Sequence, residues 1–236
     1  FTYGYPDAAT AKLVYDNLDF QRAVHSYLLA LPIVNQAFNR NRIRALGPVN
    51  ATVPIFEELV DPRQIFLTAN DNTVYSWTWI DLTDGPLVVE VPPRVLGLVD
   101  DMWYRWVVDV GITGADKGEG GAYLFLPPDH EGAIPAGEFV EVVHAPTYHL
   151  WIPWRSFLTD GDPQPGIDLV KRHTKIYPPG AEPGELTFVN LSGRPFNTVA
   201  PADYSFWELL NEVIQEEPVA TLDPVTMGFF ASIGIE

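Results

Sequence analysis

Along the first forty-odd positions, apolar residues return at a helical interval. Val14, Leu18, Tyr27, Leu28, Leu31, Val34 and Phe38 recur mostly at three- and four-residue steps and form a stripe. Asp7 after Pro6 can cap such a helix. Asp16-Asn17-Leu18-Asp19 could divide it into two, and Pro32 predicts a kink. Arg40, Arg42 and Arg44 crowd its end, where cations offset the helix dipole; an anion site is the alternative reading. Gly47-Pro48 is a stop signal.

From about residue 50 the interval shortens to two. Runs at 73–82, 87–91, 103–110, 123–126, 139–143 and 148–157 read as strands, separated by turn signals such as Asp84-Gly85-Pro86, Pro127-Pro128-Asp129 and Asp160-Gly161-Asp162-Pro163. Alternation through 71–80 places Asp71, Thr73, Tyr75, Trp77 and Trp79 on one face and Asn72, Val74, Ser76, Thr78 and Ile80 on the other. A short helix at 167–176 and a returning strand at 186–191 follow. Ser205-Phe206-Trp207-Glu208 has the capping-box pattern and opens a helix to about Glu216. Asp223-Pro224 opens a last helix, with proline at its favoured first position. The expected architecture is mainly β: an antiparallel sandwich at 48–200, a helical segment at 1–47 and C-terminal helices at 201–236.

Composition narrows the function classes. The chain has 236 residues, enough to bury a real core. Lys plus Arg is 14 against 31 Asp plus Glu, a net charge of −17, which argues against nucleic-acid and anionic-membrane roles. No apolar run approaches the ~20 residues of a membrane span. Cysteine is absent, which excludes disulfides, thiolate nucleophiles and Cys-ligated zinc. That fits export and fits the cytosol equally. No cofactor motif is visible, so no cofactor is expected.

Several stretches resemble a known family: Tyr15-Asp16-Asn17-Leu18-Asp19-Phe20-Gln21, Ile55-Phe56-Glu57-Glu58-Leu59, Thr68-Ala69-Asn70-Asp71-Asn72-Thr73-Val74-Tyr75-Ser76, Gly85 through Pro93, Asp116-Lys117-Gly118-Glu119-Gly120-Gly121 and Val225 to the end. They are similar to the bacterial family catalogued as domain of unknown function 1254. The resemblance implies an immunoglobulin-like sandwich with added helices, and commonly a periplasmic or secreted place. It also implies a second, jelly-roll-like domain, catalogued as domain of unknown function 1214, after Ile233-Gly234-Ile235-Glu236. The apolar last dozen residues fit this. Their helix is expected to pack on its own sandwich or on a partner chain.

Candidate chemistry concentrates in one place. Asn70, Asp71, Asn72, Thr73 and Tyr75 form a dense polar run before a Trp-rich strand. It reads as an Asx-turn entering a strand, or as part of a ligand site. Asp109 lies in an apolar strand and needs a donor; Arg105, four residues earlier, is on the same face. Asp100-Asp101 read as turn residues. Arg155 is expected to pair a carboxylate or to anchor an anionic ligand. The candidate ligand-binding set is therefore Asn72, Thr73, Tyr75, Asp109 and Arg155. His144 and His149 flank a turn and could approach each other, but no metal is expected because a third ligand is lacking. The Gly-rich 116–121 stretch reads as a mobile hairpin tip. Two functions remain: one wall of a site for a polar, sugar-like small molecule, with hydrolase-type chemistry in the longer parent, or a non-catalytic module that buries aromatic faces against partner domains or subunits.

Overall fold

A computed structural model describes residues 3–236. The N-terminal pattern forms one helix, α1 (Ala8–Arg44), capped by Asp7, whose carboxylate accepts the Thr10 amide at 2.8 Å. It does not divide at 16–19. Asp16 pairs back to Lys12 and Asp19 forward to Arg22, so these carboxylates bond along the helix surface rather than to its backbone. It also runs through Pro32.

Nine strands follow: β1 (Thr52–Ile55), β2 (Gln64–Ile65), β3 (Thr73–Asp81), β4 (Leu87–Val91), β5 (Val95–Asp101), β6 (Trp106–Gly111), β7 (Gly121–Leu126), β8 (Glu141–His144) and β9 (His149–Phe157). Helix α2 (Gln164–His173) leads to β10 (Lys175–Tyr177), β11 (Thr187–Asn190) and β12 (Phe196–Asn197). Helices α3 (Ser205–Glu216) and α4 (Pro224–Ala231) come last. Asp223 caps α4 as the sequence predicts. The expected Ser205 cap of α3 is displaced by one residue. Asp203 instead accepts the Ser205 amide and hydroxyl, and no side chain caps the helix at Tyr204.

The fold is β-rich with helices. A six-stranded sheet has the order β11-β1-β3-β9-β5-β6, a four-stranded sheet the order β10-β4-β7-β8, and β12-β2 form a small pair. The sheets are mixed rather than purely antiparallel. β1 with β11, β7 with β8, and β2 with β12 run parallel, joined by connections far longer than a hairpin. The two larger sheets share a core in which Ile55, Val74, Val99 and Ile152 meet Val89, Tyr123 and Phe125. Each such side chain contributes about 1.5–3 kcal/mol by burial.

The alternation expected for β3 holds. Val74 and Ile80 point into that core, while Trp77 and Trp79 point outward, under α1, α3 and α4. Helix α4 packs on its own chain. Phe230 is buried, and the Ser26 hydroxyl donates to the Phe229 carbonyl at 3.0 Å. Before Ser26, however, no residue of α1 is buried. Leu13, Tyr15 and Phe20 are exposed on a stretch roughly 27 Å long. Among the described residues, no helix is long and apolar enough to cross a membrane.

Candidate functional site

Strand β9 is the spine of the outer sheet face, and register sets three rows across it. Tyr75 and Leu96 flank Arg155. Trp77 faces Pro153, while Leu98 faces Asp109. Trp79 and Asp100 flank Trp151. Rows two residues apart along a strand are separated by about 6.8 Å, so the Arg155 and Asp100 rows lie some 13 Å apart. Gly97 is required in β5, because a Cβ there would stand 2.8 Å from both the Pro153 carbonyl oxygen and the Trp154 Cβ.

Over these rows opens a cavity of about 430 Å³, within the usual range for a small-molecule site. Tyr75, Asp109 and Arg155 all line it, together with Asp100, Tyr104 and Trp151. Phe66 packs edge-on against Tyr75 with ring centres 5.3 Å apart, and Tyr104 against Trp151 at 6.0 Å.

Asn72 and Thr73 do not line the cavity. They belong to the turn that positions Tyr75. Asn70 donates to the Tyr75 hydroxyl at 2.7 Å, and its carbonyl accepts the Thr73 hydroxyl at 3.0 Å and the Asn72 amide at 3.2 Å. Asn72 itself is exposed. The polar run is thus an Asx-turn whose central amide, Asn70, aims an aromatic ring.

Arg155 has no carboxylate within 4.0 Å among the described residues, contrary to the pairing half of the expectation; its guanidinium lies 5.9 Å from the Tyr75 ring centre. Asp109 finds its donor in the Trp106 indole, at 2.9 Å, and not in Arg105. Arg105 precedes β6 and clamps buried Asp101 instead, at 2.7 and 2.9 Å. That leaves Asp100 buried without an ionic partner of its own. Burial, with the Asp101 charge beside it, pushes its carboxyl up to about 6. Burial and then Asp100 raise the Tyr104 hydroxyl in turn. Tyr104 also holds a backbone φ of +64°, a strained conformation for an aromatic residue. Asp100 and Tyr104 escaped the sequence reading because two aspartates before a tryptophan look like a turn. An aspartate pair closing an apolar run was the available signal.

The other polar cluster lies at the opposite end of β9. His149 is buried, with Nδ1 at 2.6 Å from Glu217 and Nε2 at 3.2 Å from Asp81. Glu217 also accepts the Tyr148 amide at 2.7 Å. Burial alone would lower the imidazole, but Asp81 and Glu217 outweigh it and raise the group above its ordinary value. Burial alone would raise Asp81, but hydrogen bonds from His149 and Thr83 hold it well below the usual carboxylate range. Arg40, fully buried, pairs with Glu216 at 2.7 Å and Glu212 at 3.3 Å. So Arg40 is an internal staple between α1 and α3, neither a surface dipole counter-charge nor an anion site. His144 is exposed on the other sheet and does not approach His149. The Gly-rich tip is also tied down: Asp116, buried, accepts the Gly111 and Gly120 amides. Among the described residues, no three His, Asp or Glu side chains group as a metal site.

A double-sheet domain with a helical layer on one outer face and a ring-lined cavity beside it is the class these features define. The chain belongs to the family described as "Protein of unknown function (DUF1254)", whose model matches residues 50–178. The crystal structure of the VPA0106 protein from Vibrio parahaemolyticus is similar in fold, with a TM-score of 0.55 at 18% identity over 89% of this chain. The match covers 52% of that protein, so the present chain spans about half its length. No curated protein matches.

Proposed function

We propose that this chain is a small-molecule-binding domain whose ligand, polar at its ends and ring-bearing or sugar-like, sits in the cavity over β3, β9, β5 and β6. One observation carries the reading: Tyr75, Asp109 and Arg155, singled out by residue type, line one open cavity and none is fully buried. The double sheet acts as an immunoglobulin-like scaffold, and in a longer, exported parent a jelly-roll domain forms the opposing wall. There, hydrolysis is the chemistry the residues suit best. Asp100, its carboxyl raised to about 6 by burial, can hold a proton and serve as the acid such chemistry needs. A fragment screen followed by amide chemical shifts tests the binding reading. Hits should perturb Tyr75, Tyr104 and Trp151 and be lost in Tyr75→Ala. Hits that map only elsewhere refute it.

A second reading, an assembly module, draws on the bare N-terminal half of α1, where Leu13 is 68% and Phe20 63% exposed. Light scattering over a concentration series tests it. Self-association abolished by Leu13→Glu with Phe20→Glu supports it, and a monomer throughout counts against a contact between copies.

A further inference from the structure

Resting on the cavity reading, we infer that the ligand is a carboxylate with a flat, largely apolar body, its anionic head on Arg155, rather than a sugar. Among the described residues, Arg155 stands apart from the other arginines that are not fully exposed, Arg22, Arg40 and Arg44, while exposed Arg42, Arg94, Arg172 and Arg194 also have no carboxylate partner. Arg22, Arg40 and Arg44, like exposed Arg105, have carboxylate partners within 4.0 Å. Arg155 has none, and no hydrogen bond among the described residues engages its five N–H donors, although its neighbourhood holds acidic side chains. A planar guanidinium left free at the end of a cavity matches a carboxylate in two-point geometry.

The rest of the cavity selects the body of the ligand. From the Arg155 row toward the Asp100 row, the floor is Leu96, Leu98 and Pro153; Thr68 and Thr113 also line the cavity, but no amide side chain does, which leaves few partners for a sugar's ring of alcohols. The Tyr75 and Phe66 rings stand at the cationic end and the Trp151 and Tyr104 rings at the other. That makes a slot about 13 Å long with aromatic rings at both ends and Trp77, Leu98 and Pro153 in the middle row, where Asp109 also stands. Neither cavity carboxylate pairs with Arg155. Asp109 is bonded to the Trp106 indole, and Asp100 lies at the far end, beside Tyr104, where its acid form can donate to a carbonyl or hydroxyl of the ligand.

Titration of the whole chain with trans-cinnamate, its neutral counterpart trans-cinnamamide and methyl β-glucoside, read by calorimetry and tryptophan fluorescence, tests this. Cinnamate should bind about ten-fold or more tightly than the amide. Arg155→Met should bring cinnamate binding down to the level of the amide, and Arg155→Lys should keep part of the preference; thermal melts check that both variants fold. Equal binding of acid and amide overturns the inference, as does a preference that survives Arg155→Met. Glucoside binding without cinnamate binding overturns the carboxylate class and leaves the cavity reading standing. No response to any of the three, joined with a blank fragment screen, overturns both.

Discussion

At one end of β9, His149 sits between Glu217 and Asp81 with buried Arg40 behind it; at the other, Arg155 faces an open cavity with no carboxylate in reach. Both ends place ionisable groups on the same sheet, and both have acidic neighbours. Around His149 the carboxylates of Asp81, Glu212, Glu216 and Glu217 meet His149, Arg40 and Arg44, and the result joins α1, α3 and β9. In the cavity, which runs from Arg155 back along β9 to the Trp151 row, the charges are kept apart, and Asp100, opposite Trp151, is held in a poorly solvated place with no cation of its own. Buried charge that is compensated reads as architecture. Buried charge left uncompensated beside a cavity reads as a working site, because folding alone does not reward it.

Mutations that remove one partner from each end should separate the two most sharply. Glu217→Ala leaves the His149 imidazolium and the Tyr148 amide without their acceptor, and should cost about 3–5 kcal/mol in urea unfolding. A loss near zero would show the network to be incidental.

The pH response of the same network is the next effect in size. His149 is raised in the folded state, so its contribution is fully present below its unfolded value near 6.5 and is lost as pH rises through the folded value above that. Stability should therefore decline from slightly acid to mildly alkaline pH, and His149→Gln should flatten that decline. An unchanged slope in the variant would assign the titration elsewhere.

Removing the Asp100 charge should act the opposite way to removing Glu217. Its folded pKa is raised, so the charged form at neutral pH works against folding. Asp100→Asn should stabilise the protein at neutral pH by roughly 1–2 kcal/mol once solvent screening is allowed for, while weakening the binding of cavity ligands. Destabilisation on this substitution would move Asp100 into the structural class. Smaller still, Tyr75→Phe should cost about 1 kcal/mol by leaving Asn70 unpaired, and Asn72→Ala should change melting by less than about 0.5 kcal/mol and leave ligand binding alone.

Much of the β-rich layout was legible from alternation. β4, β9 and α3 fall within a residue of the expected spans, because each has strong periodicity and clear punctuation. β5 was not foreseen. Gly97 and the terminal Asp100-Asp101 break its pattern, and its side chains serve two different environments, core at Val95 and Val99 and cavity at Leu96 and Leu98. Missing β5 meant missing Asp100 as a site residue. Tyr75, Asp109 and Arg155 were legible as residue types needing partners, but which partners they take depends on strand order. β5 sits between β9 and β6, so Arg155 and Asp109 lie on opposite sides of an intervening strand. Nothing local in a sequence encodes that.

The parallel pairing of β1 with β11 bears on the order in which the molecule comes together. β1 is made early, yet its outer neighbour arrives only at residues 187–190, and the acidic partners of Arg40 come later still, at 212 and 216. Until those segments leave the ribosome, the growing chain carries an open strand edge and a charge awaiting its interior place. Such long-range closure makes assembly slow and largely post-translational. The segment matched by the family model, 50–178, contains neither β11 nor the helices that cover Trp77 and Trp79. What is inherited as a recognisable sequence block is therefore smaller than what folds as a unit.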